Sequence, residues 1–262
     1  MNDEDKKYVD GCAIFWKSDK FELERMELIE FASVAISQAQ SIEQANRTRL
    51  GESAGDGNCA SGGGKTGNEK GIHENLINRV MPRDNIALAG VLRVKEALYG
   101  NHMQGRFWEL GVRKVEQNNF SKIGEILKLI GHRLNLQPNE SVINNVLMIC
   151  TAHIHWDPEF CDVKLIQSMM LVQELHKILE KVSAKYHMAV AQIPVLICGD
   201  FNSLPDSGVF EFLSKGAIAK DHPDLKNFAN DPCLGGLSSA PDDPRNYTHA
   251  LRLVGGGGVF EN

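Results

Sequence analysis

Two polar side chains set two residues apart, Asp200 and Asn202, follow the apolar run Pro194 to Cys198. Together they offer the hard oxygen atoms that hold Mg²⁺ and orient a phosphate or an attacking water. The run is short and rich in β-branched residues, and Pro205-Asp206-Ser207 is turn chemistry. The expected element is therefore a strand buried on both faces that ends where the polar pair begins. Alternation along it puts Asp200 and Asn202 on one side and Phe201 in the core. The competing reading is that an Asp and an Asn at a strand end only cap a turn.

A second run ends in the same way. Val146 to Ala152 reads as a buried strand and leads into His153-Ile154-His155-Trp156-Asp157-Pro158. The period of two places His153 and His155 on one face, and a histidine at a strand mouth can donate a hydrogen bond to a developing phosphorane oxygen. Two plainer readings stand beside this: a bond to a backbone carbonyl, or zinc ligation. Zinc needs three or four ligands, and neither CxxC nor HExxH occurs in the chain.

The elements that must position these residues are also readable. From Asp162 to Tyr186, Leu165, Ile166, Met169, Met170, Val172, Leu175, Ile178, Leu179 and Val182 recur at three- and four-residue spacing. That spacing predicts an amphipathic crossover helix with the methionines as core filler. A strand, a helix and a second strand bring both strand ends to one sheet edge if the strands are parallel. A shorter helix follows, with Ser207 as N-cap, 209–215 as its body and Gly216 as its stop. Strands are expected near 11–16, 30–36, 85–94, 142–152 and 193–199.

Two interruptions divide the chain. The stretch of about 38–74, rich in Gly, Ser, Asn and charge, reads as a low-complexity surface loop. Its Gly62-Gly63-Gly64-Lys65-Thr66 is not a Walker A loop, because Cys59 stands where the first glycine belongs. The stretch of about 105–140 carries Phe120, Ile123, Ile126, Leu127, Leu129 and Ile130 at helical spacing.

Composition bounds the function. The chain has 262 residues, 42% of them hydrophobic, enough for a sizeable core. No apolar run approaches the roughly 18 residues of a membrane span, and the amino-terminal residues lack a signal-peptide core. Six cysteines without paired spacing suit reduced thiols in the cytoplasm or nucleus. A net charge of −6 argues against non-specific gripping of nucleic acid, though a single-strand nuclease can offset phosphate charge with Mg²⁺ and read bases by stacking. Asn78, Arg79 and Arg83 read as a solvated loop.

The residues 153–167 (His-Ile-His-Trp-Asp-Pro-Glu-Phe-Cys-Asp-Val-Lys-Leu-Ile-Gln) and 198–209 (Cys-Gly-Asp-Phe-Asn-Ser-Leu-Pro-Asp-Ser-Gly-Val) carry a resemblance. They look like the nuclease domain of the carbon catabolite repressor deadenylases, the exonuclease subunits of the Ccr–Not complex, in the endonuclease/exonuclease/phosphatase superfamily. Val9 to Lys17, Ile29-Glu30-Phe31 with Val34-Ala35, Leu76 to Met81, and Asp84 to Ala87 agree in order. Asn246 to Leu253 agrees more loosely.

The resemblance implies an α/β fold of the DNase I-like type, a two-sheet sandwich with helices outside. It implies a Mg²⁺-dependent 3′→5′ exoribonuclease that shortens the poly(A) tails of messenger RNA and releases 5′-AMP. Asp200 and Asn202 match the catalytic Asp and Asn, with Asp200 toward the metal. His153 matches a phosphate-contacting His, and Pro158 a proline packed on the bound adenine. Its partners would be single-stranded poly(A) RNA and the other Ccr–Not subunits, with neither DNA nor membrane, in the cytoplasm or nucleus.

The family's metal-binding Glu lies upstream of the first matched block, and its second Asp and second His follow the last. Residues 1–262 are therefore expected to be a partial domain truncated at both ends, with no deadenylase activity and weak Mg²⁺ binding in isolation. The alternatives are a catalytically dead interaction fragment, a nocturnin-like phosphatase and a 2′-phosphodiesterase.

Overall fold

Charged and apolar residues intermix from Phe21 to Glu30, and this segment forms an edge strand, β1 (Phe21–Glu30), with Leu28 exposed. The computed structural model describes residues 11–49, 76–95, 145–229 and 231–251. Beside β1 lies β2 (Ile86–Val94), a run of Ala, Leu, Ile and Val that is largely buried, as a central strand requires. Next come β3 (Val146–His153) and β4 (Val195–Asp200), in the sheet order β1-β2-β3-β4. The first two pairings are antiparallel and β3–β4 is parallel. A second sheet pairs β5 (Ala217–Ala219) with β6 (Asn246–Thr248). The chain is thus α/β, as expected.

The parallel pair requires a crossover, and helix α2 (Cys161–Tyr186) supplies it. Its sequence is dominated by Leu, Met, Gln, Glu and Lys, good helix formers. Asp162 lies in the first turn and Lys185 in the last, matching the helix dipole. The helix stops at His187, which takes the left-handed conformation, and its N–H returns to the Ser183 carbonyl. Met169, Met170, Leu171 and Leu175 have no exposed surface, and each such burial is worth about 1.5–3 kcal/mol. They share the core with Met148, Cys150 and Ala152 of β3. Helix α3 (Gly208–Lys215) begins and ends where the sequence indicates: the Phe210 N–H donates to Ser207 Oγ, and Gly216 closes the helix with φ of 78°.

Several expectations are corrected. Residues 11–17 form no strand, and Phe15 is 91% exposed. The strand expected near 30–36 is instead the start of helix α1 (Phe31–Arg49), whose Ala, Gln and Glu content outweighs one short cluster of β-branched residues. The same helix covers the first part of the interruption expected at about 38–74. The rest of that stretch, with the Gly-Gly-Gly-Lys-Thr run, lies outside the described residues, as does 105–140. β1 itself was not anticipated. A last short helix, α4 (Pro232–Gly236), is capped by Asp231, whose carboxylate accepts the Cys233 N–H.

Candidate active site

The two strands that carry the candidate residues end side by side. His153 and Asp200 are register partners across the parallel β3–β4 pair, and the Ile154 N–H donates to the Asp200 carbonyl at 2.9 Å. Along β3, Val146, Met148, Cys150 and Ala152 are buried, whereas Leu147, Ile149, Thr151 and His153 are half-buried on the other face. Register assigns Leu196, Cys198 and Asp200 to that second face, beside Ile149, Thr151 and His153. Among the described residues β4 is the outer strand, exposed from Cys198 onward, rather than buried on both faces.

Gly199 makes this close approach feasible. Its φ is +134°, and a Cβ there would lie 2.0 Å from the Ala152 carbonyl oxygen. Only glycine fits between the strands at this level.

Alternation does not continue past Asp200. Asn202 has φ of 45°, a left-handed residue in a turn, so its position is set by hydrogen bonds rather than by the pleat. Its N–H donates to Asp200 Oδ1 at 2.9 Å, its Nδ2 donates to the Ile154 carbonyl at 2.8 Å, and its carbonyl accepts from Lys164 Nζ at 2.9 Å. Among the described residues Oδ1 of Asn202 and Oδ2 of Asp200 have no hydrogen-bond partner. Both the turn-capping and the oxygen-donor readings of the pair are therefore physically present: the cap fixes the loop and leaves one oxygen of each side chain open.

Helix α2 and the β2 entrance brace the site from beneath. Gln167, fully buried, accepts the His155 N–H on Oε1 at 2.9 Å and donates from Nε2 to Asn85 Oδ1 at 3.2 Å. Asn85 Nδ2 in turn donates to the His153 carbonyl at 3.1 Å. Gln167 and Asn85, with Lys164, lie inside runs whose residue types match the family, yet spacing alone gives no reason to single them out. Their partners lie 12 to 82 residues away along the chain.

His155 does not share the His153 face. β3 has ended, and the imidazole turns inward, 6% exposed, with an edge-on ring contact to Phe160 at 5.5 Å and, among the described residues, no hydrogen-bond partner at Nε2. Burial holds its pKa below the ordinary imidazole value, and the nearby Arg83 charge lowers it further. Both effects disfavour the protonated imidazole.

Arg79 is likewise not a solvated loop residue. Its guanidinium makes a two-pronged pair with Asp162, Nε to Oδ2 at 2.8 Å and Nη2 to Oδ1 at 3.0 Å, and Asn227 Nδ2 adds a third donor at 2.7 Å. Asp162 is 3% exposed and Arg79 28%, so the carboxylate is buried at the start of α2 while the guanidinium keeps some contact with solvent. Arg79 and Arg83 also lie over the Phe160 ring, 5.0 and 4.4 Å from its centre. The loop carrying Pro158 is thereby anchored at its far end. Pro158 is exposed in the Asp157–Phe160 turn, and no hydrogen bond or ring contact among the described residues joins it to His153, Asp200 or Asn202.

Among the described residues no three His, Cys, Asp or Glu side chains gather as a metal cage. One carboxylate and one amide oxygen remain, from Asp200 and Asn202. That donor set is hard and oxygen-only, and it fits Mg²⁺, which keeps several of its waters and takes one or two carboxylates plus substrate phosphate oxygens.

No family model matches the chain. Among curated proteins it is 31% identical over 261 residues to the CCR4-NOT transcription complex subunit 6-like-B of Xenopus laevis, covering 97% of this chain and 36% of that protein. It is 30% identical over 239 residues to the CCR4-Not complex 3′-5′-exoribonuclease subunit Ccr4 of Mycosarcoma maydis, covering 86% of this chain and 24% of that one. The chain is a homologue of the Ccr4 subunits. The resemblance read from 153–167 and 198–209 thus extends along nearly the whole sequence. The chain spans about a third or less of the length of these Ccr4 relatives. A crystal structure of ANGEL2, a 2′,3′-cyclic phosphatase, aligns with 79% of this chain and 33% of its own at 17% identity, with a TM-score of 0.38.

Proposed function

We propose that the protein is a Mg²⁺-dependent 3′→5′ exoribonuclease that shortens poly(A) and releases 5′-AMP, acting as a subunit of a Ccr4–Not assembly. The observation that carries this reading is the convergence of His153, Asp200 and Asn202 at one edge of a parallel strand pair, in a chain homologous to Ccr4 exoribonuclease subunits.

The chemistry follows from the atoms left open. Asp200 Oδ2 and Asn202 Oδ1 would hold the hydrated metal, which lowers the pKa of a bound water and neutralises phosphate charge. His153, on the same face as Asp200, would donate to a non-bridging phosphate oxygen as charge develops there. Pro158 offers an exposed apolar shelf for the terminal base. Bases of single-stranded RNA are read by such stacking contacts, and Mg²⁺ at the site would offset phosphate charge in a chain of net charge −6.

A nocturnin-like phosphatase or a 2′-phosphodiesterase would use the same oxygens on a different phosphoester. Product analysis separates them. The full-length protein carrying this sequence, given oligo(A) and Mg²⁺, is expected to release 5′-AMP one nucleotide at a time. Release of inorganic phosphate only, or cleavage confined to 2′-linked oligomers, would replace the deadenylase reading. Binding of oligo(A) without any hydrolysis would make the protein an interaction module. The base shelf has its own test: Pro158→Gly should weaken activity on oligo(A) more than on oligo(C) or oligo(U), base stacking being worth roughly 1–3 kcal/mol. Equal losses on all three would assign Pro158 to loop rigidity.

A further inference from the structure

Lys164 is the most unusual charge in the described structure. It is only 6% exposed, and its ammonium donates to one neutral acceptor, the Asn202 carbonyl, at 2.9 Å. A buried lysine normally has a carboxylate partner, because an unpaired buried charge is costly. Among the described residues Lys164 has none. Asp162, two positions earlier, is fully engaged with Arg79, Asn227 and the Val163 N–H. The site adds a second cost, since Lys164 lies in the first turns of α2, where the helix dipole disfavours a cation.

Two independent costs at one residue call for a compensating charge, and the surroundings say where it would lie. The ammonium touches the backbone of the residue whose Oδ1 is open, and its field reaches His155. Asn202 itself is held in a left-handed conformation by three hydrogen bonds, one of them from Lys164. Removing that donor frees the carbonyl and lets the turn relax.

We propose that Lys164 is a positioning residue of a phosphate subsite: its ammonium fixes Asn202 with Oδ1 outward, and its unpaired charge is balanced by the phosphate of the bound nucleotide. This rests on the proposed function and adds to it the residue that makes the site selective for an anion. Two consequences distinguish it from a fold role. The contribution should appear only with ligands that carry phosphate, and charge rather than shape should rescue it.

The test compares adenosine 5′-monophosphate with adenosine, with Mg²⁺ present throughout, on the full-length protein and on its Lys164→Met and Lys164→Arg variants. Methionine keeps the apolar stem and removes the charge, and arginine keeps the charge. The expected result is that Lys164→Met weakens binding of the monophosphate about tenfold or more, the scale of a lost charged contact, and leaves adenosine binding and the thermal midpoint unreduced. Lys164→Arg should recover most of the loss. Unchanged monophosphate affinity in Lys164→Met would overturn the inference and leave the nuclease reading standing. So would equal losses for both ligands with a lowered midpoint, which would make Lys164 a fold residue. If the unsubstituted protein prefers adenosine or binds neither ligand, the inference and the proposed function fall together.

Discussion

Asp200 stands opposite His153 in the parallel register of β3 and β4, and the backbone N–H of Ile154 ties the two strand ends together at 2.9 Å. A slip of one residue would send one of these side chains into the core, because successive side chains alternate between faces. The site is therefore as well defined as the strand pairing beneath it.

That dependence can be tested at Gly199. An added Cβ would meet the Ala152 backbone at 2.0 Å, and φ of +134° is unfavourable for any other residue. Gly199→Ala is expected to lower unfolding free energy by about 3 kcal/mol or more, strain and displacement acting together. Urea denaturation followed by circular dichroism measures this. A loss below about 1 kcal/mol would mean that β4 is not seated against β3 at this level.

The Arg79–Asp162 pair should matter to the fold and to the loop above it. Arg79→Ala would leave Asp162, 3% exposed, with only Asn227 and a backbone N–H, and breaking a buried pair from one side costs about 3–5 kcal/mol. The expected loss is near the lower bound, since the remaining donors still solvate the carboxylate. A urea midpoint unchanged in Arg79→Ala would show the pair to be dispensable.

Acid sensitivity should be visible through His155. Burial holds its folded pKa below the ordinary 6.5, so the unfolded chain takes up a proton more readily than the folded one. Stability from this group is complete above pH 6.5 and is lost as pH falls through the folded value. His249 acts in the same direction, its ring packed on Phe212 and its pKa lowered by burial. His155→Gln should therefore flatten the decline of the thermal midpoint between pH 7 and pH 5, a range set by ordinary histidine titration. A decline of unchanged steepness would assign acid sensitivity to other groups.

The β3–α2–β4 unit was legible because each element announces itself by period: two apolar runs and, between them, Leu and Met at helical spacing. Ser207 and Gly216 marked α3 through capping chemistry. β1 was missed because Glu22, Glu24, Arg25 and Glu27 break up its apolar residues, as an exposed edge strand allows. α1 was misread because Val34 and Ile36 suggest a strand, whereas the longer run of helix formers decides the outcome. At the site, His153 and Asp200 could be placed by alternation, but Asn202 could not, since its conformation is fixed by partners on β3 and α2. Arg79 looked solvated for the same reason: its carboxylate lies 83 residues further on.

The most direct test of the central claim is the Mg²⁺ dependence of 5′-AMP release from oligo(A), measured on the full-length protein and on its Asp200→Ala variant. Asp200 supplies a carboxylate at the end of β4, so the account predicts stepwise release that requires Mg²⁺ and falls below detection in Asp200→Ala, with the fold retained because this side chain is exposed. Near-normal release by Asp200→Ala, or release indifferent to chelation of the metal, would contradict it.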